Sequence, residues 1–292
     1  MSVTAREATP LERIRAGGGT RITGPAAITG DWRRAVHLTW TLAVSEWRLR
    51  FFGSVLGYFW QLGRPLLLFG IYYVIFTQFV DLSGGAQYYA PTLLAGIMLY
   101  QFFGEVTGAA VTAVLTRESL VRKIHFPRIV IPLSVVLQAS FNLALNLVVI
   151  GIFMALAGVP VRAGWLWILP LFVFLLVLVS GLAMLLSALY VRFRDVQPIW
   201  DVISLGLFYA TPILYPIERV SVAWGREVIM FNPLAVIVQQ LRHAVFDPTA
   251  PSATAAAGAP WHLAVPIALT FGLFVLGFWV FNRTAPSVAE DL

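Results

Sequence analysis

Long apolar stretches separated by short polar breaks organise this chain of 292 residues. Six of them lie near residues 55–79, 89–115, 132–157, 165–190, 198–215 and 262–282. A helix needs about 20 apolar residues to cross a hydrocarbon core roughly 30 Å thick, and all but the fifth stretch reach that length. The pattern predicts an all-α polytopic membrane protein with a six-span transmembrane domain over 53–283. Ahead of it, Val36, Trp40, Ala43, Trp47 and Phe51 recur at helical spacing, while Arg34, His37, Thr41, Ser45 and Arg48 fall mainly on other faces. With Trp32, this predicts an amphipathic helix over 31–52 lying on the membrane surface, its tryptophans at headgroup depth; a helix packed on a partner protein is the alternative. Breakers at Gly17-Gly18-Gly19 and Gly24-Pro25 predict a flexible tail over 1–30, and a second short tail is expected over 284–292.

Between the fifth and sixth stretches the pattern loses its clarity. Pro212 and Pro216 lead into residues 217–260, which are neither plainly membrane nor plainly soluble. Asn232-Pro233 reads as a helix start, a cap followed by proline in the first turn, with an amphipathic run to Phe246 and a Pro/Ala/Ser-rich loop to Pro260.

Composition agrees with a membrane chain: 59% of residues are hydrophobic and mean hydropathy is +0.81. Only 12% are charged, against about 25% in soluble domains. Residues 1–30 contain no apolar core of a signal peptide, so none is expected. Charge then orients the spans. Sixteen of the twenty Arg and Lys residues fall on the side of the N-terminus: nine up to Arg64, four in the 116–131 loop, Arg192, Arg194 and Arg283. Arg162, Arg219, Arg226 and Arg242 fall on the other side. This four-to-one bias predicts a plasma-membrane protein with both termini cytoplasmic. It also explains the net charge of +6 without a nucleic-acid partner.

Polar groups within spans are costly, roughly 2.5–3.5 kcal/mol for a charge on insertion scales, so each marks a helix contact or a route. Gln101, Glu105, Gly108 and Thr112 share one face of the second span. Ser134, Gln138, Asn142 and Asn146 form a stripe on the third, Asp201, Ser204, Phe208 and Thr211 one on the fifth, and Gln61 and Arg64 lie on the first. Two readings are open: interhelical hydrogen bonds that glue the bundle, or a polar seam for a hydrophilic cargo. Glu105 is the candidate functional carboxylate, with a structural role against an Arg equally open. Tyr58, Trp60, Phe103, Phe208 and Tyr215 are candidate aromatic platforms for sugar C–H groups, although interfacial and lipid-facing aromatics share this composition. The pairs Gly53/Gly57 and Gly104/Gly108 permit close helix approach.

Enzyme chemistry finds little support. The chain has no cysteine, and its four histidines lack metal-ligand spacing, so no metal site is expected. Nothing matches G-x-x-x-x-G-K-[ST], and no acid pair has the placement a membrane glycosyltransferase needs. Broken-helix repeats of the kind found in secondary transporters are also missing. A transport subunit driven by a separate ATPase fits these absences.

Three segments carry a family resemblance: Leu56-Gly57-Tyr58-Phe59-Trp60-Gln61-Leu62-Gly63-Arg64-Pro65; Tyr100-Gln101-Phe102-Phe103-Gly104-Glu105 through Lys123-Ile124-His125-Phe126-Pro127-Arg128; and Phe193-Arg194-Asp195-Val196 through Thr211-Pro212-Ile213-Leu214-Tyr215-Pro216 to Asn232-Pro233. Together, over roughly residues 35–282, they resemble the ABC-2 type permeases that export polysaccharides, the Wzm-like and teichoic-acid-exporter group. The resemblance implies a homodimer with two ATP-binding cassette subunits, which bind the ATP and magnesium, so that no cofactor is expected in this chain. It implies a coupling contact from Arg117, Glu118, Arg122, Lys123, His125, Phe126 and Arg128. It further implies that the 31–52 helix forms part of the substrate entrance and that residues 217–246 form short helices at the outer mouth acting as a gate, with Asn232, Pro233, Gln239 and Arg242 as its candidate residues. The polar and aromatic positions read above make Tyr58, Trp60, Gln61, Gln101, Phe103, Glu105, Gln138, Asn142, Asn146, Asp201, Phe208 and Tyr215 the expected substrate pathway. The implied cargo is a lipid-diphosphate-linked glycan such as an O-antigen. Nineteen arginines to one lysine fit a GC-rich genome such as an actinobacterium's, in which case a polyprenyl-linked cell-wall galactan is the expected cargo. A drug or small-lipid exporter is the alternative, and a membrane glycosyltransferase a more distant one.

Overall fold

Apolar length and proline placement decide the elements of this chain. The computed structural model describes residues 32–51, 55–80, 87–118 and 126–285, with backbone only over 51 and 55–59. The expected tails before residue 32 and after 285 lie outside the described residues, as do Arg122, Lys123 and His125. Of Tyr58 only the helical backbone is described.

The helices are α1 (Trp32–Phe51), α2 (Val55–Val74), α3 (Tyr89–Thr116), α4 (Val130–Leu156), α5 (Ile168–Arg192), α6 (Val196–Ala210), α7 (Ala223–Met230), α8 (Pro233–Leu241), α9 (Ala253–Ala256) and α10 (Ala264–Thr284). No strand occurs among the described residues. α2 ends in a π turn at Ile75–Phe79, and short 3₁₀ turns at Ala163–Trp167 and Pro260–Leu263 lead into α5 and α10. Among the described residues five segments are long and apolar enough to cross a membrane: Trp60–Phe79, Tyr89–Thr116, Val130–Leu156, Ala163–Arg192 and Pro260–Thr284. The protein is an all-α, multi-pass membrane protein.

The fifth predicted span is shorter than the sequence pattern indicates. α6 has 15 residues, which at 1.5 Å each reach only about 22 Å. Helix stops at Ala210 because Pro212 follows, and the residue before a proline is pushed away from helical backbone; Thr211 is extended (φ −97°, ψ 132°). The chain continues without helix through Pro216. α7 and α8 then meet at 103°, α8 running on through a π turn at Arg242–Phe246. Together they form a broken span or a re-entrant hairpin, a sixth candidate for membrane insertion. The bend sits at Asn232-Pro233: Asn232 is extended, and its side-chain Oδ1 accepts the Leu234 N–H at 3.0 Å. This satisfies one donor that the first turn of α8 leaves free.

α3 is the central helix, flanked by α2, α4, α5 and α6. Its face of Leu93, Ile97, Val106, Ala110 and Ala113 is buried. α5 and α10 form the most intimate pair, and glycine permits it. A Cβ on Gly181 would lie 2.6 Å from the Phe274 backbone, and one on Gly277 2.1 Å from the Gly181 carbonyl oxygen. Gly104 and Gly108, by contrast, have nothing within 4 Å of the place a Cβ would take. Close approach thus occurs at a pair the GxxxG pattern does not mark, while the α3 pair meets no described atom at the place a side chain would begin.

Candidate functional site

Two acidic side chains, one on each of two helices, fasten α1 to the bundle. α1 lies against α4, with Ala43 fully buried and the rings of Trp40 and Trp47 edge-on to Phe141 at 5.5 and 6.0 Å. Val36 and Trp40 at the start of the same face stay about half exposed. One turn apart on the neighbouring face, Glu46 and Arg50 reach α3. Glu46 takes two hydrogen bonds from Arg117, with Nε donating to Oε1 at 2.7 Å and Nη2 to Oε2. Arg50 donates to Oε1 of Glu105.

Glu105 is the meeting point of three helices. Its Oε1 also accepts the Asn142 amide at 2.7 Å, and Asn142 Oδ1 in turn accepts the Trp47 indole N–H at 3.0 Å. A charge on α3 is thereby partnered by a cation from α1 and an amide from α4, which is how a buried or half-buried carboxylate is accommodated. Asn142 is buried and glues helices together. Asn146, one turn on, is also buried, and its Oδ1 has no hydrogen-bond partner. Gln138 is half-buried.

Beside this junction lies a cavity of about 710 Å³ lined by Arg50, Trp60, Gln61, Arg64, Pro65, Tyr100, Gln101, Gly104, Glu105 and Ala109. It brings together four of the predicted pathway residues, Trp60, Gln61, Gln101 and Glu105, and two arginines. Local sequence explains its polarity. Pro65 lacks an N–H, so the Gln61 carbonyl one turn back loses its helical donor, while Gly104 and Ala109 leave the α3 face open. Trp60 is 60% exposed at its edge.

The remaining aromatic candidates sit elsewhere. Phe103 is fully buried, 5.6 Å from Tyr100 and 6.1 Å from Trp200, so it packs the core instead of facing the cavity. Phe208 stacks with Tyr100 at 5.0 Å and Tyr72 at 5.8 Å, while the Tyr100 hydroxyl donates to the Ser204 carbonyl, joining α6 to α2 and α3. Asp201 is exposed on α6, and Tyr215 is half-buried with its hydroxyl 3.3 Å from the Tyr209 carbonyl.

Of the predicted coupling residues, Arg117 is held by Glu46, and Glu118 is half-buried. Phe126 and Arg128 are buried at 6% and 3% exposure. Arg128 donates to the Ala285 carbonyl at the end of α10, and burial lowers its pKa below the usual guanidinium value. Both side chains therefore anchor the loop end to the bundle in this conformation, and neither is presented to a partner. At the opposite end, the four predicted gate residues are each braced. Asn232 donates to Thr211 Oγ1 at 3.0 Å, Pro233 is buried in the first turn of α8, and Gln239 donates to the Pro251 carbonyl at 2.6 Å. Arg242 pairs with Glu218 at 2.7 Å and with Asp247 at 3.7 Å.

Sequence reasoning missed Glu46 and Arg50. The signal was present, since Glu46 is an acid in an otherwise cationic α1 and lies one turn before Arg50. Among the described residues no group of three or more His, Asp or Glu is placed to hold a metal ion.

Similarity to known proteins agrees with this architecture. A family model described as ABC-2 type transporter matches residues 37–246. The chain is 29% identical over 198 residues to an O-antigen export system permease protein RfbA of Klebsiella pneumoniae, covering 67% of this chain and 74% of that protein. It is 28% identical over 218 residues to a protein of the same name from Myxococcus xanthus, covering 73% and 82%. Multi-pass helices, an amphipathic α1 and a match across most of the chain lead to one conclusion: it belongs to the ABC-2 type transporter family.

Proposed function

We propose that this protein is the membrane subunit of an exporter that moves a lipid-diphosphate-linked polysaccharide across the plasma membrane, powered by a separate ATPase. The observation that carries the reading is the cavity between α1, α2 and α3. Two arginines, Arg50 and Arg64, stand at its wall beside the amides of Gln61 and Gln101 and the rings of Trp60 and Tyr100. Cations suit a diphosphate, and amides and aromatic faces suit sugars. The similarity to relatives named as O-antigen export permeases supports the same class of cargo.

In this scheme both termini are cytoplasmic, as the charge bias predicts, and two copies of the chain work with two ATP-binding cassette subunits. ATP-driven closure of those subunits pushes on the 117–128 segment. Arg117 passes the movement to α1 through Glu46, and α1 passes it to the cavity through Arg50 and Glu105. The polar cavity receives the headgroup while the lipid tail stays in the bilayer, and the braced segment between Pro216 and Phe246 opens at the outer face. Galactan from an actinobacterial cell wall is one cargo of this class.

Depleting the protein in its own cell and analysing lipid-linked glycans tests the reading. Accumulation of full-length lipid-linked glycan on the cytoplasmic side supports it. Normal glycan export together with sensitivity to small amphiphiles would instead favour a drug or small-lipid exporter.

A further inference from the structure

The geometry points to a site for an anionic membrane phospholipid between α4, α5 and the α8 turn, at the end of the bundle opposite α1. Two cavities meet there across one contact. The first is an apolar crevice of about 520 Å³, whose walls include Leu147, Gly151 and Met154 of α4, Phe172 and Leu175 of α5, and Phe246. On α4 its lining runs from Leu143 to Met154, a depth of about 16 Å at 1.5 Å per residue, comparable with much of an extended acyl chain. The second is a smaller cavity of about 300 Å³ lined by Arg162, Gln240 and His243 among others. Gly164 lies so close to Ala244 that a Cβ there would be 2.0 Å from its carbonyl oxygen. The turn Ala163–Trp167 and the π turn Arg242–Phe246 therefore touch, and the two cavities open on either side of that contact.

Two buried donors at this place have no acceptor among the described residues. They are Nη1 of Arg162 and Nε1 of Trp165. Buried polar groups of this kind are rare, and each calls for a partner. The Trp165 N–H bonds the Arg162 carbonyl at 3.0 Å in the backbone, so the two residues are one 3₁₀ turn apart, about 6 Å along its axis. Trp165 lines the apolar crevice and Arg162 the smaller cavity.

A phospholipid supplies both missing acceptors at that spacing. Its phosphate accepts from Arg162, its glycerol ester carbonyl accepts from Trp165, and one acyl chain fills the crevice. Gln240 adds a donor: its Oε1 already accepts the Ala253 N–H at 3.1 Å, which leaves the amide N–H₂ for a phosphate oxygen. Among the described residues no carboxylate lines either cavity. The acid closest in sequence to the π turn, Asp247, is paired with Arg242. The described lining thus carries a net positive charge, which selects an anionic headgroup over a zwitterionic one. It lies away from the cavity at α1 and is independent of the cargo proposed above.

The test uses the full chain in nanodiscs made from equimolar phosphatidylglycerol and phosphatidylcholine, with lipids retained by each protomer read by native mass spectrometry. Wild-type protein is expected to retain phosphatidylglycerol in preference, by roughly tenfold for one charge-assisted contact. Arg162→Gln abolishes the preference while some lipid is kept. Gly151→Leu, whose side chain enters the crevice without meeting the protein's own atoms at Cβ, lowers retention of both lipids, and Arg283→Gln at the other end changes neither. A preference that survives Arg162→Gln, or that falls equally with Arg283→Gln, overturns the assignment. Full lipid retention by Gly151→Leu does so too, as does a change of oligomeric state in that variant, which would make the crevice an interface between copies. Unchanged thermal midpoints establish that the variants are folded.

Discussion

Replacing Glu105 by Gln removes a charge that three helices share. Arg50 and Glu105 are 47% and 24% exposed in their side chains, so water screens the pair and its contribution to stability is about 1 kcal/mol or less. The Gln side chain retains an oxygen for the Asn142 amide, and Arg50 can turn to solvent. A destabilisation of that size lowers the melting midpoint of a protein this large by about 2–4 °C. Transport should suffer far more, because Arg50 loses its anchor at the cavity wall and α1 loses one of its two ion-paired ties to α3; a drop of roughly tenfold is expected from misplacement of a binding group. The assay pairs thermal unfolding of purified protein with export in cells carrying the variant as the sole copy. Arg50→Gln should give the same phenotype, and the double variant should be no worse than either single one, leaving an interaction energy of about 1 kcal/mol or less in the unfolding cycle. Additive losses in the double variant, or full export by Glu105→Gln, would refute the reasoning.

Other substitutions probe the scaffold around this junction. Gly277→Ala should cost about 3 kcal/mol or more, since its methyl meets the Gly181 carbonyl in the α5–α10 contact, whereas Gly104→Ala should stay within roughly 0.5 kcal/mol; thermal unfolding separates the two. Arg242→Gln leaves the buried Asp247 carboxylate without its cation and should destabilise by about 3 kcal/mol, with increased protease cleavage between residues 217 and 260 as the readout. Trp47→Phe keeps the ring against Phe141 but loses the bond to Asn142, costing about 1 kcal/mol. Arg122→Glu with Lys123→Glu should reduce co-purification of the ATPase while membrane insertion is unchanged.

The helices that the sequence revealed best were those whose apolar length alone fixes their state, such as α4 and α5. α1 was equally readable as a helix because Val36, Trp40, Ala43 and Trp47 repeat at helical spacing. α6 was drawn too long, since Ile213 and Leu214 continue the apolar run although Pro212 has already ended the helix. Partnerships were harder to read. Glu105 meets residues 55 positions before it and 37 after it, and nothing in a hydropathy pattern says which helices are neighbours. The same limit made Gly104/Gly108 look like a contact and hid Gly181/Gly277, where the backbones touch. Charge spacing within one helix carried a local signal that sequence reasoning passed over: Glu46 and Arg50 lie one turn apart and both reach α3.

Reconstitution with the ATPase tests the transport assignment itself. The protein and its ATPase are placed in proteoliposomes loaded with lipid-linked glycan, and glycan reaching the far side is measured with a membrane-impermeant glycosidase. ATP-dependent exposure that falls about tenfold with Glu105→Gln and is lost with an ATPase that cannot hydrolyse ATP is the predicted result. Glycan exposure that is independent of ATP, or absent while a small amphiphile is transported, would contradict it.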